Sequence, residues 1–188
     1  RLDALLERIQ ALAPTSVADL GAGTGALFHR LVAETTIPRL IAVEVDATAF
    51  ATLKAGLPPH DPTRVVLHLG TFLDLAPRLG PVDLALMIET IEHTDPEHLS
   101  KLENALFARL RPAHALITTP NADANAALGV PPHRRRHWDH RFEWSRARFT
   151  AWAERTASRH RYRATWFGLG EDLGPCGPAT QGVAFERL

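Results

Sequence analysis

Residues Val82–Asp95 read V-D-L-A-L-M-I-E-T-I-E-H-T-D. The run from Val82 to Ile88 is almost wholly apolar, as expected of a strand covered on both faces, and parallel sheets are where strands are covered in that way. Glu89, Glu92 and His93 follow at once. If the chain turns helical there, spacings of three and four residues put the three side chains on one face. That face stands at the carboxyl end of the strand, the edge at which open α/β sheets bind ligands. Two carboxylates and an imidazole aimed at one point repel each other and resist desolvation unless a cation lies between them, so a divalent metal site is one reading. A solvated first turn of helix, with acids at the positive end of its dipole, is the other. The stretch alone leaves the two level.

On the amino-terminal side, Leu2, Leu5, Leu6, Ile9 and Leu12 recur at helical spacing up to Pro14. Ser16–Leu20 reads as a short buried strand, followed by glycines at Gly21, Gly23 and Gly25 and a helix carrying Leu27, Leu31 and Val32. Glycines here allow positive φ and close approach of a ligand to the backbone. Asp19 precedes them. Arg39–Glu44 reads as a second strand ending in a carboxylate, at about the interval where nucleotide-binding sheets place a ribose-binding acid. Glu44 is the candidate for that role and Asp46 its competitor, although either acid suits a cap on the helix expected over Val45–Leu57. Arg64–Leu69 is an apolar third strand, and Gly70-Thr71-Phe72 then reaches the same edge. The Thr71 hydroxyl and the flat Phe72 ring suit an adenine, and Phe72 suits a core equally well.

Beyond the central stretch, Glu97–Leu110 has the pattern of an amphipathic helix and Ala115–Thr119 that of a fifth strand. Successive βα units predict a doubly wound, mostly parallel α/β sheet with right-handed crossovers. Arg161–Phe167 and Gln181–Phe185, joined by a Gly/Pro-rich turn that contains Cys176, should add an antiparallel edge hairpin. Between the fifth strand and a helix capped by Ser145 lies P-P-H-R-R-R-H-W-D-H-R-F-E-W, residues 131–144. Most basic runs are solvated loops. Here arginines alternate with rings, which suits phosphate contacts and base stacking on a single-stranded end.

The 188 residues are 45% hydrophobic and 22% charged, with 21 basic and 21 acidic side chains, so overall charge does not advertise nucleic-acid binding. One cysteine excludes an internal disulfide and fits a reducing compartment. No membrane-length apolar run or secretory signal is present, and we expect a cytoplasmic protein with no membrane partner. The chain opens at Arg1 rather than at a methionine, and we expect a piece of a longer protein.

The D-L-G-A-G-T-G turn and the acid ending the second strand resemble the Rossmann-like S-adenosylmethionine-dependent methyltransferases. Three separated segments sharpen that resemblance: I-E-T-I-E-H-T-D at 88–95, T-T-P-N at 118–121, and R-H-W-D-H-R-F-E-W-S-R at 136–146. Together they resemble the Hua-enhancer-type methyltransferases, which methylate the ribose 2′-oxygen at the 3′ end of small RNAs and whose bacterial members work in RNA repair. The resemblance implies Mn²⁺ or Mg²⁺ held by Glu89, Glu92, His93 and His140, which are also the catalytic set. His137 is the alternative fourth ligand or an RNA contact. For S-adenosylmethionine it implies Asp19 and Gly21 beside the methionine part, Glu44 on the ribose and Thr71 near the adenine; the reading of the residues adds Gly23, Gly25 and Phe72 to the expected pocket. Arg136, His137, Arg141 and Asn121 are the expected RNA contacts.

The family usually has aspartate where Glu44 stands, and Ala122-Asp123-Ala124 is a loose match after T-P-N. The two imidazoles favour Mn²⁺, whereas zinc would more often recruit thiolates. The expectation is one methyltransferase domain over 1–188 with an RNA- and metal-binding insertion at 121–145, acting on an RNA 3′ end and partnered by a polynucleotide kinase-phosphatase. A catechol-like small-molecule O-methyltransferase and a non-catalytic RNA-end-binding module are the alternatives.

Overall fold

Every strand expected from an apolar run is present, and all of them join one sheet. The computed structural model describes residues 1–188. Its parallel strands are β1 (Ser16–Leu20), β2 (Arg39–Glu44), β3 (Val65–Leu69), β4 (Leu84–Ile88) and β5 (His114–Pro120). The hairpin of β6 (Tyr162–Asp172) and β7 (Pro178–Arg187) completes the order β3-β2-β1-β4-β5-β7-β6, with β7 antiparallel to both β5 and β6. Strand order reverses between β1 and β4, which opens a crevice above their carboxyl ends.

Alternation along the strands divides the interior into two cores. Leu84 and Leu86 of β4 face one way, against Leu5, Leu6 and Ile9 of α1 (Leu2–Ala11) and Leu27, Phe28 and Leu31 of α2 (Ala26–Glu34). Ala85 and Met87 face the other way, into a core with Leu102, Leu106 and Phe107 and with Phe149 and Trp152 of the long carboxyl-terminal helix. α3 (Ala47–Ala55) and the single turn α4 (Phe72–Leu75) complete the β2 and β3 connections.

Some boundaries differ from those expected. The helix read over 97–110 is a 3₁₀ turn, then α5 (Leu99–Glu103), then a π segment over Asn104–Leu110. Arg111 closes it at φ +48°, its N–H bonding five residues back to the Leu106 carbonyl. β3 is an edge strand and only half-buried, despite its apolar sequence. β6 and β7 run several residues beyond the apolar segments because backbone pairing continues past them. α6 (Arg146–His160) starts at the expected Ser145 cap, whose hydroxyl accepts from the Arg148 N–H. No helix is long and apolar enough to cross a membrane.

The turn after β1 seats the two halves of the crevice against each other. Gly21 has φ +95°, and a Cβ there would lie 2.5 Å from Cγ2 of Thr90, which follows β4. Gly21→Ala should therefore cost about 1–3 kcal/mol through left-handed strain and the clash. Denaturant unfolding of the ligand-free protein measures this, and a loss below about 0.5 kcal/mol would contradict the packing described.

Candidate active site

A cavity of about 210 Å³ occupies the crevice and is lined by Leu20, Gly21, Thr71, Phe72, Met87 and His93 among others. Gly21, Gly23 and Gly25 all have positive φ, and nothing stands within 4 Å of a Cβ built on Gly23. Glu44 folds back onto this turn. Its Oε2 accepts from the Gly23 N–H at 2.7 Å, and its Oε1 accepts from the Val45 and Asp46 N–H groups at 2.8 Å. The extra methylene relative to aspartate provides that reach. Asp46, the competitor, caps α3 by accepting from the Ala49 N–H. The Thr71 hydroxyl likewise caps α4, and Phe72 is core as well as cavity wall.

Three of the seven expected cofactor residues, Gly21, Thr71 and Phe72, line the cavity, whereas Asp19, Gly23, Gly25 and Glu44 do not. Gly25 instead serves as the amino-terminal cap position of α2. Asp19 is buried in β1. Desolvation first, and then the Glu44 charge, push its carboxyl up to about 7.

The acidic stretch does not form the helical turn anticipated for it. Glu89 adopts φ +53°, its N–H bonded to the Thr118 carbonyl and hydroxyl, and Ile91–His93 make a single 3₁₀ turn. Pairing to β5 holds the backbone in this form against the usual aversion of glutamate for left-handed geometry. Glu92, His93 and His140 nevertheless converge, with a potential ligand atom from each lying within 4.8 Å of the others. Glu89 lies outside this trio. It accepts from Thr118 Oγ1 at 3.0 Å and stands 3.8 Å from Nη1 of Arg1.

Glu92 is fully buried, and only its Oε2 has a partner, the Thr119 hydroxyl at 3.0 Å. Its Oε1 has none. Burial first, then the Glu89 charge, raise its carboxyl to about 8. Each histidine of the trio is oriented by its own carboxylate: His93 Nδ1 meets Asp139 at 3.0 Å, and His140 Nδ1 meets Glu143 at 2.6 Å. Both Nε2 atoms are left for another partner. The Arg141 N–H donates to the Glu92 carbonyl at 2.7 Å and straps the distant loop to this turn. A buried acid with one orphaned oxygen beside two oriented imidazoles is a donor set that fits a divalent cation. The His137 ring stands 5.6 Å from that of His140 and 6.3 Å from that of His93, next to the trio but outside it.

Two of the four expected RNA contacts face inward. The Arg136 guanidinium donates to Asn125 Oδ1, the Ala179 carbonyl and the Asn121 carbonyl. Asn121 is fully buried, its amide held by the Cys176 and Pro178 carbonyls. Both residues hold the loop to the sheet edge, while His137 and Arg141 remain exposed.

The residue reading overlooked Glu143, Asp139, Asn125, Thr118 and Thr119, which orient the acids and imidazoles. Their signal was the H-x-x-E spacing from His140 to Glu143 and the paired threonines before Pro120.

The raised Asp19 carboxyl yields a pH prediction. Native Asp19 holds a proton up to about pH 7 that the unfolded chain releases near 3.8. Stability contributed by that proton is present at low pH and falls as pH rises through this window, by at most about 1.4 kcal/mol per pH unit. Asp19→Asn should flatten the decline in the ligand-free protein. An identical pH profile in the variant would show that Asp19 ionises normally.

A family model described as a methyltransferase domain matches residues 17–113. The small RNA 2′-O-methyltransferase of Mus musculus is 34% identical over 179 residues, covering 87% of this chain and 45% of its own length. The crystal structure of the methyltransferase domain of bacterial CtHen1-CN matches with a TM-score of 0.87 at 28% identity, covering 99% of this chain and 97% of that one. The crystal structure of small RNA methyltransferase HEN1 matches with a TM-score of 0.90 at 26% identity, over all of this chain and 25% of that one. The chain spans about half the length of the curated relatives it matches. Since the family model takes in more than half of the residues, and the likeness to the bacterial domain runs through nearly all of both chains, the chain belongs to the methyltransferase-domain family as a Hen1-type methyltransferase.

Proposed function

We propose that this chain transfers a methyl group from S-adenosylmethionine to the 2′-hydroxyl of the 3′-terminal nucleotide of RNA, with Mn²⁺ or Mg²⁺ at the Glu92–His93–His140 trio. One observation carries the reading: His93 belongs both to the wall of the crevice cavity and to the trio. A methyl donor in the crevice and an acceptor oxygen at the trio would therefore be neighbours. Names of the relatives supply the RNA acceptor, and the donor set supports the cation.

Glu92, His93 and His140 would hold the cation, with Glu89 as the fourth donor that the resemblance implies. When bound, it would bind neighbouring hydroxyls and stabilise the alkoxide form of the attacking oxygen. Adjacent 2′- and 3′-hydroxyls occur together only at a free 3′ end, which accounts for the choice of a terminal nucleotide. The chain's own residues set up the rest. Thr118 and Thr119 fix the two glutamates, and Asp139 and Glu143 fix the tautomers of the two imidazoles. His137, whose ring stands 5.6 Å from that of His140, would be the nearby imidazole that accepts the 2′-hydroxyl proton. The new bond joins the 2′-oxygen to the methyl carbon, the carbon–sulfur bond breaks, and its electron pair returns to sulfur. A repair setting and a polynucleotide kinase-phosphatase partner are part of the same proposal and rest on the bacterial branch of the family.

Labelled S-adenosylmethionine, Mn²⁺ and a short RNA should give labelled product, and the same RNA ending in 2′-deoxyribose should give none. Equal labelling of both would exclude the 2′-oxygen as acceptor. Turnover of a catechol or other diol that RNA does not inhibit would favour a small-molecule enzyme, and tight RNA binding without transfer would indicate a binding module.

Glu92→Ala and His140→Ala should abolish transfer with the fold intact by circular dichroism. Glu143→Gln should weaken Mn²⁺ binding, read by electron spin resonance, roughly 10- to 100-fold. Unchanged Mn²⁺ affinity in that variant would remove Glu143 from the account.

A further inference from the structure

Trp138 is the most exposed large apolar side chain of the protein, at 88%, whereas Trp144 and Trp152 are 4% exposed. A single surface hydrophobe is ordinary, but the place of this one is not. Its ring lies 5.5 Å from that of His137, which lies 5.6 Å from that of His140. Three rings thus lead outward from the trio to solvent. Beside them runs a groove of about 740 Å³ lined by Pro132, His133, Arg134, Arg135, His137 and Trp138, together with the inward-turned Arg136. No carboxylate lines it. Arg134 and Arg135 are exposed, and one Nη of Arg135 anchors the groove by donating to the His140 carbonyl at 2.7 Å.

Cations without counter-charges, next to a free aromatic face, match the chemistry of a single-stranded nucleic acid, whose phosphates need the former and whose unpaired bases need the latter. We propose that the Trp138 indole, backed by His137, is the platform on which the base next to the 3′-terminal nucleotide stacks, with Arg134 and Arg135 taking the flanking phosphates. This rests on the RNA reading above and specifies its substrate: an unpaired 3′ end, with little preference for base identity, because every base has a face to stack. A base paired into a duplex cannot reach the indole.

The test is binding of a short, 5′-fluorescein-labelled single-stranded RNA, read by anisotropy, to the wild-type chain, Trp138→Ala and Trp138→Phe. Trp138→Ala should weaken binding roughly tenfold, and Trp138→Phe should restore most of it. An RNA abasic at the penultimate position should bind the wild type more weakly by a similar factor and bind Trp138→Ala no worse than intact RNA does. The proposal is overturned if Trp138→Ala binds as tightly as wild type, or if the abasic penalty is the same in both proteins. It is also overturned if the wild type binds no RNA. Binding that follows the predicted pattern without methyl transfer would instead sink the catalytic reading alone.

Discussion

Burying a carboxylate with one oxygen unpaired, beside a second carboxylate, is a cost that a small domain tolerates only where something offsets it. Glu92 is in that position: no part of it reaches solvent, Oε1 has no partner, and Glu89 raises its proton affinity further. Replacing it with an apolar residue would relieve the fold, since an unsatisfied buried polar atom costs about 1–3 kcal/mol. The surrounding structure instead preserves the strain. Glu89 is held left-handed by β5, Thr119 grips the paired oxygen of Glu92, and the Arg141 strap closes over the same turn. Such a concentration of unfavourable geometry and raised proton affinity is typical of functional sites.

The loop that brings His140 to this acid is itself locked from beneath. Glu143 accepts from the His140 ring, the Arg136 N–H and the Asn125 amide, while the Arg136 side chain reaches across to β7 and to the end of β5. Those bonds give a segment with little regular structure a fixed shape. They also divide its arginines: Arg136 serves the fold, and Arg134 and Arg135 face outward. Arg135 does both, exposed to solvent yet tied by one Nη to the His140 carbonyl.

The parallel strands could be read from the chain because burial on both faces leaves an unbroken apolar run, as at Val82–Ile88. The hairpin was recognised but drawn too short, since β6 is an edge and its outer residues follow backbone pairing rather than an apolar period. The E-x-x-E-H spacing suggests a helical face, whereas the structure gathers Glu92 and His93 through a 3₁₀ turn, because nothing in Glu89 itself signals a left-handed backbone. Asn121 and Arg136 looked like RNA contacts because their partners, Cys176, Pro178 and Ala179, lie roughly 40 to 60 positions away in sequence. Long-range hydrogen bonds of that kind leave no local pattern. Thr118, Thr119, Asp139 and Glu143 lie inside the quoted motifs and Asn125 outside them, and only three-dimensional contact shows which group faces which atom.

The central claim is that side chains from two distant segments grip one cation beside the methyl-donor crevice. Anomalous scattering at the manganese edge, from crystals grown with Mn²⁺ and S-adenosylmethionine, tests it most directly. The account predicts one strong peak bonded to Glu92, His93 and His140, with the methionine sulfur in the adjoining cavity. A peak elsewhere, or an Mn²⁺-saturated crystal with no peak at the trio, would contradict it.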